Sequence, residues 1–600
     1  CNSRRAAAVW LLASATLANA QTAPTLNETV VTATRTPQPL AEVLADVSII
    51  DRDTIERSGA RGIADVLARV PGIEFSRNGG PGNVTSVFLR GAESRHTAVY
   101  VDGVRIDSQA TGGAIWESIP LALVDRIEVL RGSAAAIYGS DAIGGVVQIF
   151  TKKGEQGAPK PFVSLGVGSD RTAAIEAGVS GAGGRFDYAL SAAHQRSDGF
   201  NSRIAPTANP DDDGYKRSSA TTRIGFKPAA GQRIEATALL SELNSQYDGF
   251  APGVDDRNHH RLRTLGLNWQ SQWTARYNTR VSLTDSASRY ESTPSPYLTE
   301  TRLRGYLWQN EYRIDRQLLT ATLERREDYL ENAPIDAKRH QDGIALGWGY
   351  AGPVHTLQLN ARHDRDSEFG GQTTGGAAYG YGFTKNWRAN VAASTSFRAP
   401  TLYQRFSEYG VRGLVPEKGR NVELGLRYTE RASSFGVVAY RNRLTNLIAF
   451  GAAGGCASAF GCYENTAKAK LEGITVSGEQ RVGALGLRGS LDFQNPRDLD
   501  TGHLLARRSK RHATLGADWR AAGWILGAET QLSAPRYDNS ANTVKLAGYG
   551  LVNLYVTTRI GRDWSLLARV DNVADQPYEL ANTYATSGRK FWFGLKWAPL

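Results

Sequence analysis

From about Pro161 to the end of the chain, apolar and polar positions alternate with a period of two. Phe186, Tyr188, Leu190 and Ala192 fall on one side of a strand, and Asp187, Ala189, Ser191 and Ala193 on the other. Successive side chains of an extended chain point to opposite faces, so this is the signature of a strand with one apolar side. The pattern returns at Ile234, Ala236, Ala238 and Leu240 against Arg233, Glu235 and Thr237. Near the end, Phe591, Phe593, Leu595 and Trp597 oppose Lys590, Trp592, Gly594 and Lys596. A soluble sandwich and a membrane barrel both produce such alternation. If the region is a barrel, its roughly 440 residues, at about 20 per strand and connection, make about 22 antiparallel strands, enough for a lumen that holds a plug.

The region from about Glu28 to Gly154 has a different texture, with short apolar runs and compact turns, as in a small α+β domain. Ile63, Val66, Leu67 and Val70 recur at helical spacing, and Pro71-Gly72 stops that helix. This stripe reads as core.

Arg4 and Arg5, an apolar run from Ala6 to Ala18, and the small-x-small ending Ala18-Asn19-Ala20 make a secretory signal with cleavage after Ala20. A lipidated Cys1 is the rival reading, but the basic flank and apolar run lie on its wrong side. The sequence has no Met, so Cys1 is not read as the natural start. An exported protein meets an oxidising compartment, so a disulfide between Cys456 and Cys462 is expected over two free thiols.

Composition narrows the choice. Past residue 20 no run of eighteen apolar residues occurs, and mean hydropathy is −0.36, which excludes a bundle of membrane-spanning helices but not a barrel. The 24 Tyr and 12 Trp suit a protein with aromatic residues at two water–lipid boundaries. A net charge of +11 is dispersed along the chain, and no nucleic-acid-binding motif accompanies it.

Several motifs carry a resemblance. Glu28-Thr29-Val30-Val31-Thr32-Ala33 resembles the energy-coupling TonB box of TonB-dependent outer-membrane receptors. An ordered, plug-like series follows: Asp65-Val66-Leu67 leading to Pro71-Gly72-Ile73, Phe88-Leu89-Arg90-Gly91, Val101-Asp102-Gly103-Val104-Arg105, Arg126 to Gly132, and Tyr138 to Val146. The likeness continues through Phe397-Arg398-Ala399-Pro400-Thr401-Leu402-Tyr403, Pro416-Glu417-Lys418, Tyr440-Arg441-Asn442 and Asp571-Asn572-Val573. It implies a signal peptide over 1–20, a TonB box and flexible segment over 21–37, a plug over 38–154, and a transmembrane β-barrel of about 22 strands over 155–600. The implied setting is the outer membrane of a Gram-negative bacterium, with the protein a monomer in lipid. There the box adds as an edge strand to TonB, which delivers energy from the inner-membrane proton motive force.

Within the family, the chain is similar to BtuB-type cobalamin receptors at Asn78-Gly79-Gly80-Pro81-Gly82, Ser197-Asp198-Gly199-Phe200 with Asp211-Asp212-Asp213-Gly214-Tyr215, and Tyr247-Asp248 with Asp255-Asp256. The resemblance implies calcium in outer loops, on Asp198, Asp211, Asp213, Asp248, Asp255 and Asp256. Carboxylates two apart, such as Asp211 and Asp213, can turn toward one hard cation, although an acidic loop alone is often merely solvated. For the corrinoid itself, the likeness implies contacts at Val84, Thr85, Thr111 and Gly112, with Tyr403 and Tyr409 as further candidates.

A ferric-siderophore or haem receptor is the alternative. Between the Phe397 box and Glu423 there is no His to ligate haem iron. Arg90, Arg105, Glu128 and Arg131 read as charged bridges of a wet plug–barrel interface rather than as catalytic groups. Enzyme signatures such as G-x-S-x-G, H-E-x-x-H and the phosphate loop are missing, and an enzyme or adhesive barrel needs no coupling box. Such barrels usually finish on an aromatic residue, whereas Ala598-Pro599-Leu600 follow Trp597 here.

Overall fold

A computed structural model describes residues 29–599 except 31, 33, 34, 155, 156, 207 and 250–252. The signal peptide, Glu28, Val31 and Ala33 therefore lie outside the described residues. Within them, a closed barrel of 22 antiparallel strands begins at Gly157 and ends at Trp597. It closes where Gly157–Gly168 pairs antiparallel with Lys590–Trp597, Val163 standing opposite Trp597.

The alternation read from the sequence sets which way each side chain points. Phe186, Leu190 and Ala192 are exposed on the outside, while Asp187, Ala189 and Ser191 are buried on the inside. At the other end of the chain, Phe591 and Phe593 are likewise exposed. A soluble sandwich would bury those apolar faces between two sheets; here they stay uncovered around a cylinder, as lipid requires.

The plug folds around a five-stranded sheet with the order Asp46–Ile50, Val124–Arg131, Gly145–Thr151, Thr97–Val101, Val104–Arg105. The pairing between Thr97–Val101 and Gly145–Thr151 is parallel. One helix, Arg52–Ser58, is capped by the Asp51 carboxylate, which accepts from the Thr54 N–H, and ends at Gly59 in the left-handed region at φ 55°. The next helix, Ile63–Leu67, is shorter than its apolar stripe. Arg69 and Val70 instead donate to the carbonyls three residues back, Val66 and Leu67, tightening the last turn before Pro71. Ile63, Val66, Leu67 and Val70 are all buried in one core with Ile127, Val129 and Ile149. Leu239 and Leu262, facing inward from the barrel wall, complete that core, which places the plug inside the lumen.

Candidate functional site

Three places in the fold carry the functional residues: the coupling segment, the plug–barrel interface and the mouth formed by the long loops.

The coupling segment is folded back on the plug. Thr29–Val30 pairs antiparallel with Gln38–Pro39, and Val30 is buried against Val43, Val47, Leu130 and Tyr138. Thr32 donates to Glu128 twice, from its N–H at 2.9 Å and its hydroxyl at 2.5 Å. The Tyr138 hydroxyl donates to the Thr32 carbonyl at 2.9 Å. Just beyond, Arg35 forms a two-pronged ion pair with Glu324 of the barrel, at 2.9 and 3.1 Å. A short strand pair and a handful of polar contacts therefore hold this segment, with one side chain anchored in a core.

The interface is polar. Arg90 bridges Asp46 of the plug at 2.6 Å and Glu423 of the barrel at 3.0 Å. Burial works against the Asp46 carboxylate, but the guanidiniums of Arg131 and Arg90 outweigh it and hold the group well below the usual carboxylate range. Arg105 pairs with Asp107 and Asp141, and Asp141 also takes Arg326 of the barrel at 3.2 Å. Arg131 pairs inside the plug with Asp46, at 2.7 Å. Of the four residues expected to bridge plug and wall, Arg90 does so directly and Arg105 through Asp141, whereas Arg131 and Glu128 bind within the N-terminal region. The motif residues Arg398 and Glu417 complete the tie. Glu417 is fully buried, 2.8 Å from His96 of the plug and 3.4 Å from Arg398, and accepts from the Ile448 N–H.

At the mouth, the Phe397 to Tyr403 motif turns into the helix Leu402–Phe406, started by a capping box between Thr401 and Gln404. The motif rests on the plug loop: the Leu402 N–H donates to the Gln109 side chain, and the Tyr403 N–H to the Gln109 carbonyl at 3.1 Å. Thr111 is exposed on that loop. Gly112 has φ +73°, and an added Cβ would meet the Arg398 guanidinium at 2.6 Å, so glycine is required. In the other plug loop, Val84 is 53% exposed while Thr85 is buried. Thr85 donates its N–H to Glu117 and its hydroxyl to the Asn83 carbonyl, so its side chain serves the plug instead of the opening. The strand Thr85–Leu89 begins at that residue, and its pleat turns it inward.

Tyr403 and Tyr409 belong to a larger aromatic arc. Tyr403 meets Tyr463 edge-on, Tyr463 meets Phe450 at 5.5 Å, and Phe450 meets Tyr409 at 5.7 Å. On its other side, Tyr403 is influenced by the neighbouring Tyr297 hydroxyl, and Tyr297 stands 5.9 Å from Tyr290. The sequence reading missed Tyr290, Tyr297, Phe450 and Tyr463, since they come from distant strands and no motif marks them.

The six acids divide into groups. Asp198 pairs with Arg171 at 3.1 Å and Asp255 with Arg257 at 2.6 Å. Asp256 accepts from the Gly249 N–H, and Asp213 from the Ser202 N–H and hydroxyl. Asp248 is buried, and its Oδ2 has no hydrogen-bond partner. Burial and then the charges of Asp213 and Asp211 push its carboxyl up to about 6. Among the described residues, no three His, Cys, Asp or Glu side chains stand close enough to hold a metal ion. Cys456 and Cys462 are bonded, closing a loop beside Tyr463.

A family model described as TonB dependent receptor-like, beta-barrel, matches residues 186–573, and one described as TonB-dependent Receptor Plug Domain matches 39–146. The chain is a TonB-dependent receptor. It therefore sits in the outer membrane of a Gram-negative bacterium, and its family comprises receptors and transporters that bind a substrate and engage TonB. It is 29% identical over 585 residues to the vitamin B12 transporter BtuB of Photobacterium profundum, covering 94% of each chain. It is 28% identical over 592 residues to that of Vibrio cholerae, with the same coverage. In three dimensions it resembles a ferric enterobactin receptor (PfeA) mutant from Pseudomonas aeruginosa, with a TM-score of 0.82 at 20% identity, covering 95% of this receptor and all of that chain. The siderophore receptor PirA of Acinetobacter baumannii gives 0.81 at 18% identity, with 92% and 98% covered.

Proposed function

We propose that this receptor takes up cobalamin or a related corrinoid, drawing on TonB. The observation that carries this reading is the full-length similarity to vitamin B12 transporters, over 94% of both chains, including the plug and loop motifs that would face the solute. A corrinoid presents a broad, largely apolar ring with polar edges. The aromatic arc from Tyr290 through Tyr403 to Tyr409, with Val84 and Thr111 exposed beneath it, offers flat faces and hydroxyls for such a ligand.

We further propose that calcium binds the mouth through Asp211, Asp213 and Asp248, which would have to close on the ion, Asp213 leaving Ser202, since no three acids among the described residues stand close enough to hold it as they are. The unpartnered Asp248 Oδ2 and the burial and acidic neighbours that together raise Asp248 are what a hard divalent cation would relieve. Asp198 and Asp255 are held by Arg171 and Arg257 and would have to leave those partners to join the shell; Asp256 is tied to the loop backbone. The coupling segment would pass to TonB by strand addition, made by backbone groups.

The test is a titration of the purified receptor with cyanocobalamin, with and without calcium. Nanomolar binding strengthened by calcium is expected. Absence of binding, with uptake of a ferric siderophore instead, would replace the substrate assignment while leaving the family unaffected.

A further inference from the structure

The loop closed by the Cys456–Cys462 bridge stands directly above one half of the aromatic arc. Strands Ser433–Gly451 and Cys462–Val482 form a hairpin in which Phe450 stands opposite Tyr463, and Gly451 opposite Cys462 on the last rung. Beyond that rung the connection, residues 452–461, carries no charged side chain and consists of Gly, Ala, Ser, Cys456 and Phe460. It has no regular structure, and Gly454 and Gly461 take φ of +120° and +140°. A chain of this composition samples many conformations unless something ties it down.

Two backbone hydrogen bonds tie it to the loop that carries Tyr409, which joins the strands Trp387–Arg398 and Glu417–Glu430. The Ser458 N–H donates to the Glu408 carbonyl at 3.1 Å, and the Tyr463 N–H to the Tyr409 carbonyl at 2.9 Å. Ser458 lies within the ring that the disulfide closes, and Tyr463 is the first residue beyond it. The ring therefore holds two donors against two consecutive carbonyls of a separate loop. Gly455 completes the fit: a Cβ there would lie 3.9 Å from both the Cys462 Cβ and the Val411 side chain, so the bridge rests against that same loop.

The strand ladder alone does not fix the direction of this tip. Its register shifts between Leu444 and Leu447 and again before Ile448, and a strand bends and twists where its register breaks. Ile448 is held from below, its N–H donating to Glu417 and its carbonyl accepting from Arg95 of the plug. The hairpin is thus pinned at two heights, at Ile448 and at the bridged ring. Phe450 and Tyr463 stand between the two pins.

We propose that the Cys456–Cys462 bridge is a positioning element of the solute site: it keeps residues 456–462 as a stiff pad on the Glu408 and Tyr409 carbonyls, so that Tyr409, Phe450 and Tyr463 present one face. Phe450 meets Tyr463 at 5.5 Å and Tyr409 at 5.7 Å, and both contacts depend on how the two loops sit against each other. Opening the bridge turns a short closed ring into a free Gly- and Ala-rich connection. A face preset for its ligand then becomes one that the ligand must assemble, and the ligand is held more briefly. Tyr290, on the far side of Tyr403, belongs to the strand Tyr277–Thr293 and has no part in the pad. The effect on solute binding rests on the corrinoid reading; the effect on the loops does not.

The test compares the full-length receptor in detergent with its combined Cys456→Ser and Cys462→Ser variant, whose barrel is shown folded by its heat-modifiable gel shift. Without ligand, hydrogen exchange at the Ser458 and Tyr463 amides is expected to quicken at least tenfold, while the amides of residues 437–443 stay within twofold. Exchange within twofold at Ser458 and Tyr463 overturns the proposal whatever the solute is. With cyanocobalamin, the bridge-free receptor is expected to bind at least tenfold more weakly, through faster dissociation. A double-mutant cycle separates positioning from general stability. Tyr409→Ala should weaken binding at least tenfold in the parent and less than threefold without the bridge, whereas Tyr290→Ala should cost the same factor in both. Equal costs of Tyr409→Ala in the two backgrounds, or binding within twofold of the parent, overturn the positioning role. If the parent itself does not bind cyanocobalamin, the corrinoid reading falls and the exchange result alone decides on the bridge. Should the double variant fail to assemble, the folded parent, reduced, capped with iodoacetamide and freed of reductant, takes its place with the same expectations.

Discussion

The plug core and the plug–barrel interface adjoin, the core reaching Leu239 and Leu262 of the wall, and are built from opposite materials. The core packs Ile63, Leu67, Ile127, Val129 and Ile149 with almost no exposure. The interface pairs Arg90 with Glu423, His96 and Arg398 with Glu417, and Arg326 with Asp141. Apolar packing holds the plug as one body because each contact is lost to a cavity if it parts. Ion pairs in a wettable seam can exchange partner for water, so the plug can keep its fold while its fit to the wall changes. A transporter needs that difference: a stopper that stays folded in a seam that can open.

Substitutions can break the comparison, beginning with the largest effect. Val30→Pro or Val31→Pro should abolish uptake while substrate binding survives, because proline removes a backbone donor from the strand that TonB would pair with. Uptake and binding assays on the same cells separate the two, and normal transport refutes the coupling role. Glu417→Ala leaves the buried Arg398 guanidinium without its carboxylate and His96 without its partner, and should cost about 3–5 kcal/mol. Limited proteolysis of the plug within an intact barrel reads that cost; a loss below about 1 kcal/mol would mean that water already reaches the seam. Leu67→Ala should cost about 2–5 kcal/mol, seen as plug unfolding at lower denaturant with the barrel unaltered. If Leu67→Ala loosens the barrel too, the two bodies are not energetically separate.

The smallest effect is a pH dependence at the mouth. Asp248 is raised to about 6, so in the cation-free receptor its burial is tolerated when protonated, and this loop loses stability as pH rises from the ordinary carboxylate range through 6. Protons and calcium would then compete: calcium affinity should fall about tenfold per pH unit below 6, and Asp248→Asn should remove that slope. Calorimetric titration at pH 7 and pH 5 checks the sign.

Much of the architecture was legible because it is local. A two-residue period assigns each strand an inside and an outside without knowledge of its neighbours, and the helical stripe at Ile63 to Val70 announced the plug core, though its last turn tightened before Pro71. Strand number followed from length. The site was legible in pieces: Tyr403, Tyr409, Val84 and Thr111 reach the mouth, while Thr85 turns inward under Glu117. Asp198 and Asp255 sit on arginines that no loop motif marks, and Tyr290, Tyr297 and Tyr463 join the arc from strands far apart in sequence.

The order of apolar and polar side chains determined that each strand has one apolar and one polar face and that a domain of different texture precedes them, since pleat and periodicity act between neighbours in sequence. Only the closed tertiary structure decided which charges meet. Glu417 finds His96 across 321 residues, Asp285 gathers three arginines from neighbouring strands, and Asp248 comes under the influence of Asp211 and Asp213. Those encounters depend on strand register and on where the plug seats in the lumen, and electrostatic pairing acts through space and is blind to sequence distance.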